Sequence, residues 1–166
     1  MRNGKRILCL VLAAGGLATP MMAQDQGAPL LIGPEQVWIE TIDPLQIMWV
    51  GPNQYDRIEV LSGSGIEILA LATSAETVAL VGAKALVVQT NGTHSCEDLS
   101  APLAYYVVTL GERLATDGPV TACGALTVSF APGEIVLQED PMRRTSEGSG
   151  ILAVWMPGQG FVAASE

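Results

Sequence analysis

From residue 34 onward the chain breaks into short runs in which apolar and polar positions alternate or apolar residues stand together, separated by Gly, Pro, Ser, Asn and Asp. Alternation over so few residues is the period of a half-buried β-strand. In residues 45–50 it places Leu45, Ile47 and Trp49 on one face, read as the core side. In residues 57–61 it places Ile58 and Val60 inward and Arg57 and Glu59 outward. Ser62-Gly63-Ser64-Gly65 then leads into residues 66–70, where Ile66 and Ile68 flank Glu67, and two such runs about a Gly-rich connection predict a hairpin. Residues 77–81 and 85–90 are short apolar runs on either side of Gly82. Residues 103–110 are aromatic and β-branched, and residues 125–130 alternate Leu126, Val128 and Phe130 with Thr127 and Ser129. Residues 134–138, 151–156 and 160–163 complete about ten predicted strands. Only residues 69–77 leave room for a helical turn. The expected fold is all-β: a sandwich of short antiparallel strands.

Residues 1–23 have another character. Arg2, Lys5 and Arg6 precede an apolar stretch over residues 7–18, and Thr19-Pro20-Met21-Met22-Ala23 ends on a small residue. This is the layout of a secretory signal peptide cut after Ala23. The apolar stretch falls short of the ~20 residues that span a bilayer, and Cys9 has no lipobox before it. The expected product is exported, periplasmic or secreted, and not membrane-spanning. Residues 24–33 read as a lead-in arm. The polar stretch 91–98 is the natural seam between a module over 34–90 and one over 91–163, two small modules with a shared core as one arrangement. Residues 140–150 lack periodicity and read as a surface loop.

Removal of the leader changes the charge and the cysteine count. The whole chain has 8 Lys and Arg against 17 Asp and Glu, a net charge of −9. All three leader charges are basic, so the exported chain stands at −12. Such an acidic surface argues against nucleic acid as a partner and favours a basic protein. Cys96 and Cys123 remain, and in an oxidising compartment a lone pair is most simply a disulfide.

Two stretches resemble known groups. Ile47-Met48-Trp49-Val50-Gly51-Pro52 followed by Asp56-Arg57-Ile58-Glu59-Val60, within residues 34–61, resembles immunoglobulin-like modules of exported bacterial proteins. The resemblance implies an Ig-like strand ended by Gly-Pro, a structural role for Trp49 in the core, and Asp56 holding backbone donors at the turn. It implies no catalytic residue. Residues 91–124, with Asn91-Gly92-Thr93-His94-Ser95-Cys96, then Tyr105-Tyr106-Val107-Val108, then Cys123-Gly124, look like small uncharacterised exported disulfide proteins.

Candidate chemistry is sparse. His94-Ser95-Cys96-Glu97-Asp98 is the densest cluster of functional groups, and His94 is the only histidine of the chain. A hydrolase would use His94 as base beside Ser95, with Glu97 or Asp98 orienting it, and a metal site would use His94 with the two carboxylates. The plainer account is a solvated loop leading into the disulfide, since triad members normally converge from separate elements. No Gly-x-Ser-x-Gly elbow is present. Gly158-Gln159-Gly160-Phe161-Val162-Ala163 has a dinucleotide spacing but no room for the helix that must follow, so no cofactor is expected. Asn91-Gly92-Thr93 fits a glycosylation sequon, and Arg143 and Arg144 have acidic neighbours to pair with. Trp49 and Trp155 read as core. Trp38, on a face with Gln36 and Glu40, is the aromatic most open to a partner, with cover by the N-terminal arm as the plainer account. The leading expectation is a non-catalytic exported binding or accessory protein, with Trp38, Glu97 and Asp98 on its contact surface. The alternative is a small hydrolase or metal-binding protein centred on His94.

Overall fold

The computed structural model describes residues 28–96, 101–139 and 150–163; residues 1–23, read above as a leader, Glu97, Asp98 and residues 140–149 of the expected loop lie outside them. The expected all-β fold is present. Among the described residues, twelve strands and one helix follow one another: β1 (Leu30–Ile32), β2 (Glu35–Ile42), β3 (Leu45–Gly51), β4 (Ile58–Gly63), β5 (Glu67–Ala72), α1 (Ala75–Val81), β6 (Ala85–Asn91), β7 (Pro102–Thr109), β8 (Ala115–Cys123), β9 (Leu126–Ala131), β10 (Glu134–Glu139), β11 (Ile151–Met156) and β12 (Gly160–Ala163). They form three antiparallel sheets of four consecutive strands each, β1-β2-β3-β4, β5-β6-β7-β8 and β9-β10-β11-β12.

The sheets stack through two cores with the β5–β8 sheet in the middle. Successive residues of β6 and β7 serve opposite cores, as the strand period requires. Leu86, Val88 and Val108 meet Ile32, Val37, Met48, Val50 and Leu61 of the first sheet. Ala85, Val87, Tyr105 and Val107 meet Leu126, Val128, Ile135, Leu137, Ala153 and Trp155 of the third. A sheet covered on both faces needs apolar residues at consecutive positions, and Ala85-Leu86-Val87-Val88 supplies them.

Polar contacts tie the layers at their edges. Lys84 donates to the Ile32 carbonyl at 2.9 Å and pairs with Glu35, whose other oxygen accepts from Gly111 N at 2.7 Å. The Thr116 hydroxyl donates to the Val60 carbonyl at 2.9 Å, joining β8 to β4. On the other side Trp155 Nε1 donates to Asp117 Oδ2 at 2.7 Å. Trp155 is buried, as its alternation with Ala153 indicates.

Several local expectations are overturned. In β3 the buried positions are Met48 and Val50, and Leu45, Ile47 and Trp49 face outward. Both sets are apolar, so alternation alone does not choose; Gln46 does, because its Oε1 accepts from Ile66 N at 2.7 Å on the inner side. Ile58 is exposed, whereas Val60 and Leu61 contribute to the core. The predicted hairpin about residues 62–65 is instead a crossing, since β4 and β5 belong to different sheets. Asn91 N bonds Ser64 O at 2.8 Å across it. Gly65 has φ +65°, and a Cβ there would stand 2.7 Å from the Asn91 side chain.

Helix α1 over residues 75–81 takes in the end of the 69–77 stretch that left room for a helical turn and replaces the run expected at 77–81, while residues 69–72 belong to strand β5. Ser74 caps α1 by accepting from Thr77 N at 3.1 Å, and Gly82 ends it in the left-handed region. The spacing of Val78 and Val81 suits a helix, and Val81 closes the end of the second core. Three strands escaped the sequence pattern, β2 (Glu35–Ile42) among them. β1 falls inside the supposed arm, and β8 contains Gly118-Pro119, which the edge position tolerates.

Tyr105 fixes the turn between the second and third sheets. Its hydroxyl donates to the Gly124 carbonyl at 3.2 Å and accepts from Leu126 N at 2.9 Å, with the ring fully enclosed. Burial pushes its phenol above the ordinary tyrosine range, with Glu67 adding to the rise and the Leu126 hydrogen bond opposing it. In Tyr105→Phe the two backbone groups lose their partner, at a cost of about 1–3 kcal/mol in denaturant unfolding at neutral pH. The unfolded chain ionises this phenol near pH ~10 and the folded chain does so only at higher pH. Stability is therefore held below that value and lost as the pH rises through it, and the Phe variant will show a shallower alkaline loss.

Candidate functional site

Two features of the surface carry chemistry. The first is built where the middle sheet ends. β6 finishes at Asn91 and β7 begins at Pro102, which stands opposite Cys123 at the end of β8. Gly92 N bonds the Pro102 carbonyl at 2.7 Å, and Gly124 N bonds the Ala101 carbonyl at 3.1 Å, so both margins of the connection are fixed. Cys96 then reaches Cys123, and the disulfide is present, with Cα atoms 5.7 Å apart and a sequence separation of 27. Closing a loop of this length is worth roughly 3–4 kcal/mol in the chain-entropy account.

His94 lies against this bond. Its Nε2 is 3.7 Å from Cys123 Sγ, and its Nδ1 is enclosed with no hydrogen-bond partner among the described residues. Gly92 makes the seat for the ring, since a Cβ at that position would stand 2.9 Å from Nδ1. Ser95 is exposed, and no hydrogen bond among the described residues joins it to His94. Glu97 and Asp98 are outside the described residues. His94 is thus placed beside the sulfurs, not in a base–nucleophile pair with Ser95.

The second feature is the outer face of the first sheet. Trp38 and Trp49 stand opposite each other on β2 and β3, followed along the strands by the pairs Glu40–Ile47 and Ile42–Leu45. Leu31 of β1, opposite Gln36, is on the same side. The Arg57 guanidinium lies over the indoles, 4.7 Å from the Trp49 centroid and 5.7 Å from that of Trp38, and donates from Nη1 to Glu40 Oε1 at 2.6 Å. Trp49 Nε1 is enclosed and has no hydrogen-bond partner among the described residues. Trp38 is therefore half-buried beneath Arg57, not freely exposed.

The β3–β4 turn delivers Arg57 to this place. Asn53 Oδ1 accepts from Tyr55 N at 2.8 Å and Asp56 N at 3.0 Å, so Asn53, not Asp56, holds the backbone donors. Gly51 is required by closeness: a Cβ would come 2.2 Å from the Asp56 carbonyl oxygen. Around the tryptophans, Leu31, Ile42 and Leu45 remain 68%, 59% and 51% exposed, and Tyr55 of the turn is 85% exposed. Asp43, Asp56 and Glu59 are exposed at its margins. Sequence alternation missed this face because it assigned Trp49 to the core. The usable signal was that residues 45–50 are apolar at both parities except for Gln46.

Comparison with protein-family models, with curated proteins and with solved structures gives no match.

Arg57 joins a cation–π contact to an ion pair on a half-buried surface. Arg57→Ala will lower stability by about 1–2 kcal/mol and shift tryptophan emission to the red as the indoles gain water. Arg57→Lys retains the charge but not the flat guanidinium, and will restore less than half of the loss. Equilibrium unfolding followed by fluorescence measures both; unchanged emission in Arg57→Ala would show that the cover over the indoles is unimportant.

Proposed function

We propose that this is an exported, non-catalytic binding or accessory protein that docks a basic protein partner on the outer face of its first sheet. The observation that carries the reading is the concentration of exposed large apolar side chains there. Leu31, Ile42 and Leu45 on this face, with Tyr55 in the adjoining β3–β4 turn, are four of the seven among the described residues. Exposed apolar clusters rimmed by polar groups are a mark of contact surfaces. The tryptophan pair beneath Arg57 adds the residue types that anchor interfaces. Asp43, Asp56 and Glu59 at the margins favour a cationic partner, speeding its approach and setting its orientation. The resemblance of residues 34–61 to Ig-like modules of exported bacterial proteins falls on these strands and supports the same reading. The leader-like residues 1–23 and the Cys96–Cys123 bond agree with work in the periplasm or outside the cell.

The test uses the exported protein immobilised against envelope extract, beside Leu45→Asp and Asp43→Lys/Glu59→Lys variants. These side chains lie outside both cores, so thermal midpoints should stay within a few degrees of the parent. The reading requires a basic protein captured by the parent, lost at least tenfold with Leu45→Asp, and weakened by charge reversal and by salt. Equal capture by all three proteins would end it. So would a concentration-dependent dimer of the purified chain that Leu45→Asp dissolves, which would assign the face to a second copy.

A further inference from the structure

The docking face leaves the His94–Cys96–Cys123 corner without a role beyond cross-linking. Its donor atoms all lie within 4.8 Å of one another, the one such group of three among the described residues. We infer that, once the disulfide is reduced, this corner binds a thiophilic divalent cation of the zinc type through Cys96 Sγ, Cys123 Sγ and His94 Nε2.

The geometry fits that chemistry. Zn–S bonds of ~2.3 Å and Zn–N bonds of ~2.0 Å in a tetrahedral site place sulfur and nitrogen ligands roughly 3.6 Å apart. His94 Nε2 already stands 3.7 Å from Cys123 Sγ. Two thiolates on one zinc lie roughly 3.8 Å apart. With Cα atoms separated by 5.7 Å, rotation about the side-chain bonds of Cys96 and Cys123 reaches this spacing.

The imidazole is also uncommitted. Among the described residues Nδ1 has no hydrogen-bond partner, and the Nε2 contact is with the sulfur of Cys123. Gly92 and the strand ends hold the ring in place. Two thiolates and a neutral imidazole balance the charge of a divalent ion. Cys123 is exposed and His94 and Cys96 are half-buried, so a cation has access from solvent. Three protein ligands leave the fourth tetrahedral position to water or a small ligand.

Disulfide and cation exclude each other. Two molecules of a thiol reductant release the Cys96 and Cys123 thiols and leave as their own disulfide. Binding of the cation then displaces the two thiol protons. Loading of the corner therefore reports its redox state.

The experiment uses the full chain carrying Cys9→Ser, so that only two thiols titrate. Oxidised and anaerobically reduced samples are titrated with Co2+ alone and with Zn2+ against a chromogenic chelator, with near-ultraviolet circular dichroism reporting the fold. The reduced protein should bind one equivalent with thiolate-to-cobalt charge-transfer bands and the strong visible absorption of a tetrahedral ion. The oxidised protein should bind none. His94→Ala, with both cysteines intact, should bind at least about tenfold more weakly, and Cys96→Ser/Cys123→Ser should not bind.

Equal affinity in His94→Ala and the parent would overturn the site. So would reduced protein that binds no better than the double serine variant, or a reduced chain that stays unfolded with Zn2+ present. Refolding of a loosened reduced chain by Zn2+, dependent on His94, would support it.

Discussion

The burial of the β5–β8 sheet on both faces is the constraint on which the rest of this protein depends. A four-stranded sheet buried on one side only needs alternate apolar residues, but this one must present Leu86 and Val88 to one neighbour and Ala85 and Val87 to the other. At about 25 cal/mol per Å2 of apolar surface removed from water, the central strands receive stabilisation from two directions. The outer sheets receive it from one. Each outer sheet then needs only a single apolar inner face, so its other face is available for sequence that serves something else.

This layering places the two candidate features. The corner with His94 and the disulfide stands where β6, β7 and β8 end, so strand pairing fixes it on both sides of the polar connection. The outer face of β1–β4 is opposite the first core and is free of the packing demands that Met48 and Val50 satisfy. There the chain carries Trp38, Trp49, Ile47 and Leu45, where solubility alone would favour polar groups, and covers part of them with Arg57. The contrast with the third sheet is informative. Its exposed positions include Thr127 and Glu139, and Leu152 is its one exposed large apolar side chain among the described residues.

Much of the strand content was legible because it rests on local pattern. The runs that became β6, β7, β9, β10, β11 and β12 are apolar enough, and bounded clearly enough by Gly and Pro, to be recognised without tertiary information. The disulfide was legible by counting, once Cys9 was assigned to a leader. Failures occurred where a decision is made between distant residues. The inward parity of β3 depends on Gln46 reaching Ile66 N, and the crossing from β4 to β5 depends on Asn91 meeting Ser64. β8 is an edge strand with Gly118-Pro119 inside it, tolerated because an edge strand has one side without ladder bonds. His94 and Cys123 are brought together by three strand ends, a proximity that no local motif encodes.

Native-state hydrogen exchange tests the double-sided burial of the middle sheet most directly. The account predicts that the slowest amides of the molecule lie in Ala85–Asn91 and Pro102–Thr109, exchanging only through global unfolding, while Glu35–Ile42 and Glu134–Glu139 open sub-globally and exchange faster. Protection in an outer sheet equal to or greater than that of β6 and β7 would contradict it.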